Sequence, residues 1–144
     1  MPSSKRADAS ASSQPSAVYV DTSALGRSLL DEPERTAIES ALKTFERVVS
    51  SSLLRTELRR VGFRRQMLDR ADALLAGVSL IKIDDEILSS AETITPSTVA
   101  TLDAIHLATA VRLKDAGKLS ALMTYDKQLA DGAREHGIEV LAPS

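Results

Sequence analysis

Four acidic residues occupy positions from which their carboxylates could act together. Asp21 follows a run of β-prone apolar residues, and Asp126 follows a second such run. Glu57 and Asp103 each fall near the start of a segment with helical apolar spacing. Ligands of open α/β sheets bind at the carboxyl ends of parallel strands, so the four positions can converge there. Taken alone, Asp21 is more simply a helix cap, and it is the three later acids that favour a site.

Clustered carboxylates point to a hard divalent cation. Two unit charges about 4 Å apart repel by about 4 kcal/mol at an effective dielectric of about 20, and a cation relieves that repulsion. The chain has no cysteine and only two histidines, which excludes disulfides, thiolate metal sites and thiol catalysis. Mg²⁺, or Mn²⁺ in its place, prefers carboxylate oxygens and could activate water against a phosphodiester.

A basic segment stands close to Glu57 in the sequence. Residues 51–70 hold six arginines and two acids, a net charge of +4 in a chain whose formal net charge is −2. Within it, Arg55 with Arg59 and Arg60 with Arg64 form i, i+4 pairs that we expect to face outward. This segregation suits an anionic substrate, although a solvated arginine-rich helix has the same pattern. With aromatics at 3%, base stacking is disfavoured, and a nucleic acid would be held by charge.

Strand and helix patterns alternate along the chain and predict how the acids are positioned. We expect a disordered tail over residues 1–16, rich in serine and alanine, and one α/β domain over residues 17–144. The parallel sheet should lie between helical layers, with its third and fourth strands at residues 78–83 and 119–125. Gly62 should break or bend its helix, and Thr101 should cap a buried helix. With no long apolar window, the chain is predicted to be soluble and cytoplasmic, without a membrane segment.

Four blocks in this order and spacing carry a family resemblance. They are VDTSA at residues 20–24, SLLRTEL at 52–58, LDAIHLA at 102–108 and LMTYD at 122–126. The sequence resembles the PIN-domain ribonucleases, specifically the VapC-type toxins of bacterial toxin–antitoxin systems. The resemblance covers roughly residues 18–141 and implies a three-layer α/β/α sandwich with a five-stranded parallel sheet.

The resemblance also implies roles for individual residues. The implied reaction is metal-dependent cleavage of RNA, with four catalytic acids, namely Asp21, Glu57, Asp103 and Asp126. Three of them would bind Mg²⁺, namely Asp21, Asp103 and Asp126. Thr22 and Thr124 match positions of small polar side chains near the metal. The predicted RNA-binding residues are Arg55, Arg59, Arg60 and Arg64.

Partners follow from the same resemblance. The substrate would be a single-stranded region of transfer, ribosomal or messenger RNA, and the sequence does not distinguish among these. A cognate antitoxin of the VapB type would block the acidic site with an arginine that bridges two carboxylates. A homodimer is expected, with the helices of residues 54–75 as its contact surface.

Several other interpretations of the sequence must be weighed. A receiver-like signalling domain would need an acidic pair after the first strand, and a haloacid-dehalogenase-type phosphatase would need an aspartate where Ser23 stands. A catalytically silent PIN-like module that binds RNA remains the main alternative, although such modules would be expected to lose one acid. His106 lies three residues after Asp103 and could face the site, but the pattern favours a core or near-surface histidine.

Overall fold

The computed structural model describes residues 16–144 and contains five strands and seven helices in that range. The strands are β1 (Ala17–Val20), β2 (Arg47–Ser51), β3 (Ser79–Ile81), β4 (Ala121–Met123) and β5 (Val140–Leu141). The helices are α1 (Thr22–Leu29), α2 (Arg35–Leu42), α3 (Leu53–Arg64), α4 (Leu68–Leu75), α5 (Asp85–Thr93), α6 (Thr101–Asp115) and α7 (Lys127–Glu135). The predicted disordered tail lies outside the described residues except for Ser16, whose carbonyl and hydroxyl oxygens accept hydrogen bonds from the backbone N–H groups of Arg47 and Glu46.

The five strands form one parallel sheet in the order β3-β2-β1-β4-β5. This confirms the predicted sheet. The central strand β1 is buried on both faces, as a continuous apolar run in a parallel sheet requires. Its side chains alternate, so Val18 and Val20 join one hydrophobic cluster while Ala17 and Tyr19 join the other.

The two clusters correspond to two helical layers. On one face, apolar residues of α1 to α4 pack together with Val18 and Val20 of β1. On the other face, Leu107 of α6 and Leu129 of α7 pack together with Tyr19, and α5 packs against α6. The chain is therefore a three-layer α/β/α sandwich. None of the helices in residues 16–144 is both long and apolar enough to span a membrane.

Chain order reverses between β1 and β4, which lie side by side in the sheet. The first three strands proceed from β1 in one direction, and β4 lies on its other side. A crevice forms at the carboxyl edge of an open sheet where the strand order reverses in this way. Asp21 follows β1 at this position, and its backbone N–H donates to the carbonyl of Met123 at 3.4 Å.

Some local predictions were wrong. Helix α3 continues through Gly62, which is buried, and the chain turns instead near Gln66, whose φ is 58°. The N-cap of α6 is Ala100, so Thr101 is the first helical residue instead of the cap. Strands β3 and β4 are shorter than predicted, which places Thr124 and Tyr125 between β4 and Asp126.

Candidate active site

Asp21 lies at the buried end of β1 and is 3% exposed. Its carboxylate accepts hydrogen bonds from Ser23 Oγ at 2.8 and 3.0 Å, from Thr124 Oγ1 at 2.8 Å and from the Ala24 N–H at 3.1 Å. Burial raises the pKa of Asp21, and the hydrogen bonds from Thr124 and Ser23 oppose that rise. Asp21 is also the N-cap of α1, where its side chain accepts from the Ala24 N–H, as the capping interpretation predicted.

Thr124 connects Asp21 to Asp126. Its hydroxyl donates to Asp21 and accepts a hydrogen bond from the Asp126 N–H at 3.0 Å. Asp126 in turn caps α7 by accepting from the Leu129 N–H at 2.8 Å. Two acids from neighbouring strands are thus held by one buried threonine, which matches the predicted position of a small polar residue.

Glu57 projects from the second turn of α3 and is partly buried. Its Oε1 accepts from Thr22 Oγ1 at 2.5 Å and lies 2.8 Å from His106 Nε2. Partial burial would raise the pKa of Glu57, but the hydrogen bonds to His106 and Thr22 outweigh it and hold this pKa below its usual value. His106 is buried, as the sequence favoured, but it also contacts the site.

The carboxylate of Asp103, in the first turn of α6, receives no hydrogen bond from any residue in the described part of the chain. Burial and the negative charges of Asp126, Asp21 and Glu57 together raise the pKa of Asp103 to about 6. Thr124 joins Asp21 to Asp126, and Glu57 contacts both Thr22, next to Asp21, and His106, one helical turn after Asp103. The four predicted acids therefore lie in one region of the molecule. Asp21 follows β1, Glu57 and Asp103 lie within α3 and α6, and Asp126 precedes α7.

The side-chain oxygens that could bind a metal ion at this edge of the sheet belong to carboxylates and hydroxyls, and these are the ligand types that Mg²⁺ prefers. In residues 16–144, however, no three His, Cys, Asp or Glu side chains lie close enough together to hold a metal ion. The side chains of the acids would therefore have to move inward around a cation.

Three contributors to the site were missed or undervalued in the sequence. Ser23 donates to both oxygens of Asp21, and it also accepts from the Tyr125 N–H at 2.8 Å. His106 and Tyr19 form a buried pair behind Glu57. The sequence carried a signal for Ser23, which lies two residues after Asp21, and for His106, which lies one helical turn after Asp103. Tyr19 resembled an ordinary core residue of β1.

The predicted RNA-binding arginines lie along α3 in two different environments. Arg55, Arg60 and Arg64 are exposed, in agreement with the outward orientation expected for them. Arg59 is partly buried and pairs with Asp72 of α4, so part of its charge is already neutralised. Arg60 and Arg64 follow Glu57 by three and seven residues, which places them on the same helical face as that acid.

Comparison with known proteins identifies the family. The model of the PIN domain matches residues 18–135. The chain is 39% identical over 133 residues to Ribonuclease VapC47 of Mycobacterium tuberculosis, which covers 88% of this chain and 96% of that protein. It is 38% identical over 135 residues to Ribonuclease VapC46 of the same organism, which covers 89% of this chain and 98% of that protein.

Solved structures share the fold at lower identity. A toxin–antitoxin complex from Klebsiella pneumoniae superimposes with a TM-score of 0.66 at 21% identity, covering 88% of this chain and 98% of that chain. Mycobacterium tuberculosis VapC20, described as a sarcin–ricin loop cleaving toxin, superimposes with a TM-score of 0.63 at 16% identity, covering 79% and 93%. The match to the family model and the relatives that are more than one-third identical show that the chain belongs to the PIN-domain family and is of the VapC type.

Proposed function

We propose that this chain is a metal-dependent endoribonuclease that cuts single-stranded regions of RNA and acts as a toxin in the cytoplasm. The observation that carries the proposal is that four carboxylates, supplied by different parts of the chain, lie near enough to one another for three of them to raise the pKa of the fourth, Asp103. Its relatives at 38% and 39% identity are named ribonucleases, which supports the same chemistry.

Each acid has a role in this proposal. Asp21, Asp103 and Asp126 would hold Mg²⁺, or Mn²⁺ as a substitute. When bound there, a divalent cation supplies the Lewis acidity and positive charge that hydrolysis of a phosphodiester needs. Glu57, fixed through Oε1, would orient the attacking water and accept its proton. The exposed arginines of α3 would contact RNA phosphates.

The two histidines do not form an acid–base pair. His106 is buried and contacts Glu57, whereas His136 Nε2 lies 2.7 Å from the carbonyl oxygen of Thr95. Ribonucleases that use the 2′-hydroxyl as nucleophile need a general base and a general acid on either side of the phosphate. The arrangement instead favours attack by water, with the 2′-hydroxyl as a bystander.

Induced expression in a bacterial host tests the toxin proposal. We expect the wild-type protein to stop growth and cut cellular RNA, and Asp21→Asn to do neither. Asp115→Asn, at the exposed end of α6, is the matched control and should remain toxic. A soluble wild-type protein that leaves growth and RNA intact would overturn the proposal. RNA binding without cleavage would favour a catalytically silent module.

We further propose a cognate antitoxin of the VapB type as the protein partner. A cluster of carboxylates is a suitable receptor for an arginine, whose guanidinium can bridge two of them. A partner segment bearing such an arginine would compete with the cation. Co-expression with a small neighbouring open reading frame should restore growth, and substitution of the partner's arginine by alanine should abolish the rescue. Rescue that does not depend on any arginine would contradict this mode of inhibition.

A homodimer is also proposed, with a narrower contact surface than the sequence indicated. Leu54, Leu58 and Ala71 are taken up by the core of the same chain. Phe63 remains 63% exposed on α3 and is the large apolar side chain that α3 and α4 leave for a second copy. Light scattering should give a dimer mass for the wild type and a monomer mass for Phe63→Glu. A wild-type monomer would refute the proposal.

A further inference from the structure

A chain of hydrogen bonds runs from the centre of the sheet to Glu57. The hydroxyl of Tyr19 lies 2.6 Å from His106 Nδ1, and His106 Nε2 lies 2.8 Å from Glu57 Oε1. Tyr19 is fully buried and His106 is 1% exposed, so neither side chain exchanges these contacts for water. Buried polar groups are costly unless they are hydrogen-bonded, so each atom in this chain needs a defined donor or acceptor role.

The groups at the two ends of this hydrogen-bond chain, Glu57 and the Ser51 N–H, fix the direction of each hydrogen bond in it. Glu57 is a carboxylate and can only accept, so His106 Nε2 must carry a proton. At the other end, the Ser51 N–H donates to the Tyr19 oxygen at 3.1 Å, which leaves the single hydroxyl proton of Tyr19 to be donated elsewhere. In a neutral imidazole, Nδ1 is then the acceptor of the Tyr19 proton.

Neighbouring hydroxyls have their own acceptors. Ser50 Oγ donates to the carbonyl of Val20 at 2.6 Å, and Thr109 Oγ1 donates to the carbonyl of Ile105 at 2.8 Å. Their protons are therefore not directed at His106. Both hydroxyls also lie near the Tyr19 oxygen, but the hydrogen bond between that oxygen and His106 Nδ1, at 2.6 Å, is shorter than the one from the Ser51 N–H. Each group therefore donates its proton to the next one in the same direction, from the Ser51 N–H to Tyr19, from Tyr19 to His106 and from His106 to Glu57.

The two oxygens of Glu57 are held unequally. Oε1 receives both Thr22 from α1 and His106 from α6. Among residues 16–144, no hydrogen-bond donor reaches Oε2. One carboxylate oxygen is therefore fixed by two elements, and the other is left for a water molecule or substrate.

We propose that His106 is a positioning residue that holds Glu57 in its working orientation, and that Tyr19 selects the tautomer of His106 required for this. The ring does not touch RNA in this proposal, because it is buried behind the carboxylate. The positioning role of His106 rests on the proposed ribonuclease activity. The direction of the hydrogen bonds does not depend on that activity.

Two amide substitutions of His106 test the positioning role. The amide nitrogen of His106→Gln can reach the place of Nε2 and still donate to Glu57, whereas His106→Asn can reach only the place of Nδ1. Removing partners that orient a catalytic or metal-binding group typically costs about 10–100-fold in activity, and we expect His106→Asn to lose kcat by that factor. KM should be unchanged because no RNA contact is removed. His106→Gln should retain most of the wild-type kcat, and thermal unfolding should confirm that both variants are folded.

Nitrogen NMR of the metal-free protein tests the tautomer directly. The chain has two histidines, so His136→Gln assigns the remaining signal to His106. We expect the neutral ring with the proton on Nε2, and we expect Tyr19→Phe to move the Nδ1 signal toward that of an unbonded ring nitrogen. A proton on Nδ1, either alone or in a doubly protonated ring, would overturn the role of Tyr19.

The outcomes separate this inference from the proposed function. If the wild-type protein cuts no RNA, the ribonuclease proposal fails, and the NMR measurement still decides the hydrogen-bond chain. If the wild type cuts RNA and His106→Asn is as active as His106→Gln, the positioning role is refuted and the ribonuclease stands.

Discussion

At the scale of the single residue, Asp103 carries an electrostatic cost in the metal-free site. Burial and three neighbouring acids raise its pKa to about 6 from 3.8. The folded state therefore binds this proton more tightly than the unfolded state, and stability is lost as pH rises through the window between these values. Asp103→Asn removes that loss. With solvent screening of a partly exposed group, we expect the variant to gain about 1 kcal/mol above pH 6 in EDTA and nothing near pH 3.

Urea unfolding at a series of pH values measures this difference. Asp85→Asn is the control, because Asp85 is exposed in the first turn of α5, where a negative charge is favourable. The free energy of unfolding of Asp85→Asn should fall by a few tenths of a kcal/mol at neutral pH, a change opposite in sign to that of Asp103→Asn. A stability gain for Asp103→Asn that did not depend on pH would show that the neighbouring acids are not its cause.

The contribution of the Thr124 hydroxyl to stability can also be measured by substitution. Thr124 is 1% exposed, it donates to Asp21, and it accepts from the Asp126 N–H. Thr124→Val keeps the volume but leaves a buried carboxylate and an N–H short of a partner, which costs about 1–3 kcal/mol. Thr124→Ser should keep most of the stability and the activity. Equal unfolding free energies for the valine and serine variants would mean that this hydroxyl does not hold the two acids.

At the scale of the element, the contact between α3 and α4 sets the orientation of the helix that carries Glu57. A Cβ atom added at Gly62 would lie 3.1 Å from both the Ala71 Cβ and the backbone oxygen of Met67. We expect Gly62→Ala to cost about 1–3 kcal/mol, because α4 cannot move away without disturbing the core. Gly26→Ala, within α1 and with open space around it, should instead stabilise by up to about 1 kcal/mol. Thermal unfolding of both variants measures the contrast, and a stabilised Gly62→Ala would contradict this packing.

The same elements show what a sequence can and cannot predict. The alternation of apolar runs and helical spacing was sufficient for the parallel sheet and for the position of Asp21, because those features are local. Gly62 was predicted to break its helix from intrinsic propensity, but its role depends on α4, which packs against it from elsewhere in the chain. The Tyr19–His106 contact joins residues 87 positions apart, and no local pattern encodes such a pair.

At the scale of the whole molecule, the charge is divided between a basic segment, residues 51–70, and an otherwise acidic chain. Residues 51–70 carry a net charge of +4 against a total of −2. Arg60 and Arg64 are exposed on the face of α3 that carries Glu57. Replacing both with glutamine should weaken RNA binding and reduce the salt dependence of log K by about 0.7 for each phosphate of a single strand that these arginines neutralise.

Binding of a single-stranded RNA at several salt concentrations measures that slope. Arg59→Gln is the matched control, because Arg59 is already paired with Asp72 and should contribute little to the slope. An unchanged slope after replacement of Arg60 and Arg64 would show that RNA follows another path across the molecule.

The most direct measurement of the central claim is the chemistry of the cut ends made by the purified protein, with Mg²⁺ and with EDTA. Hydrolysis at a site of four carboxylates, without a histidine acid–base pair, predicts 5′-phosphate and 3′-hydroxyl ends that form only when the metal is present. Asp21→Asn should form none. Cleavage that continues in EDTA and leaves 2′,3′-cyclic phosphate ends would contradict the account, because the RNA 2′-hydroxyl would then be the nucleophile.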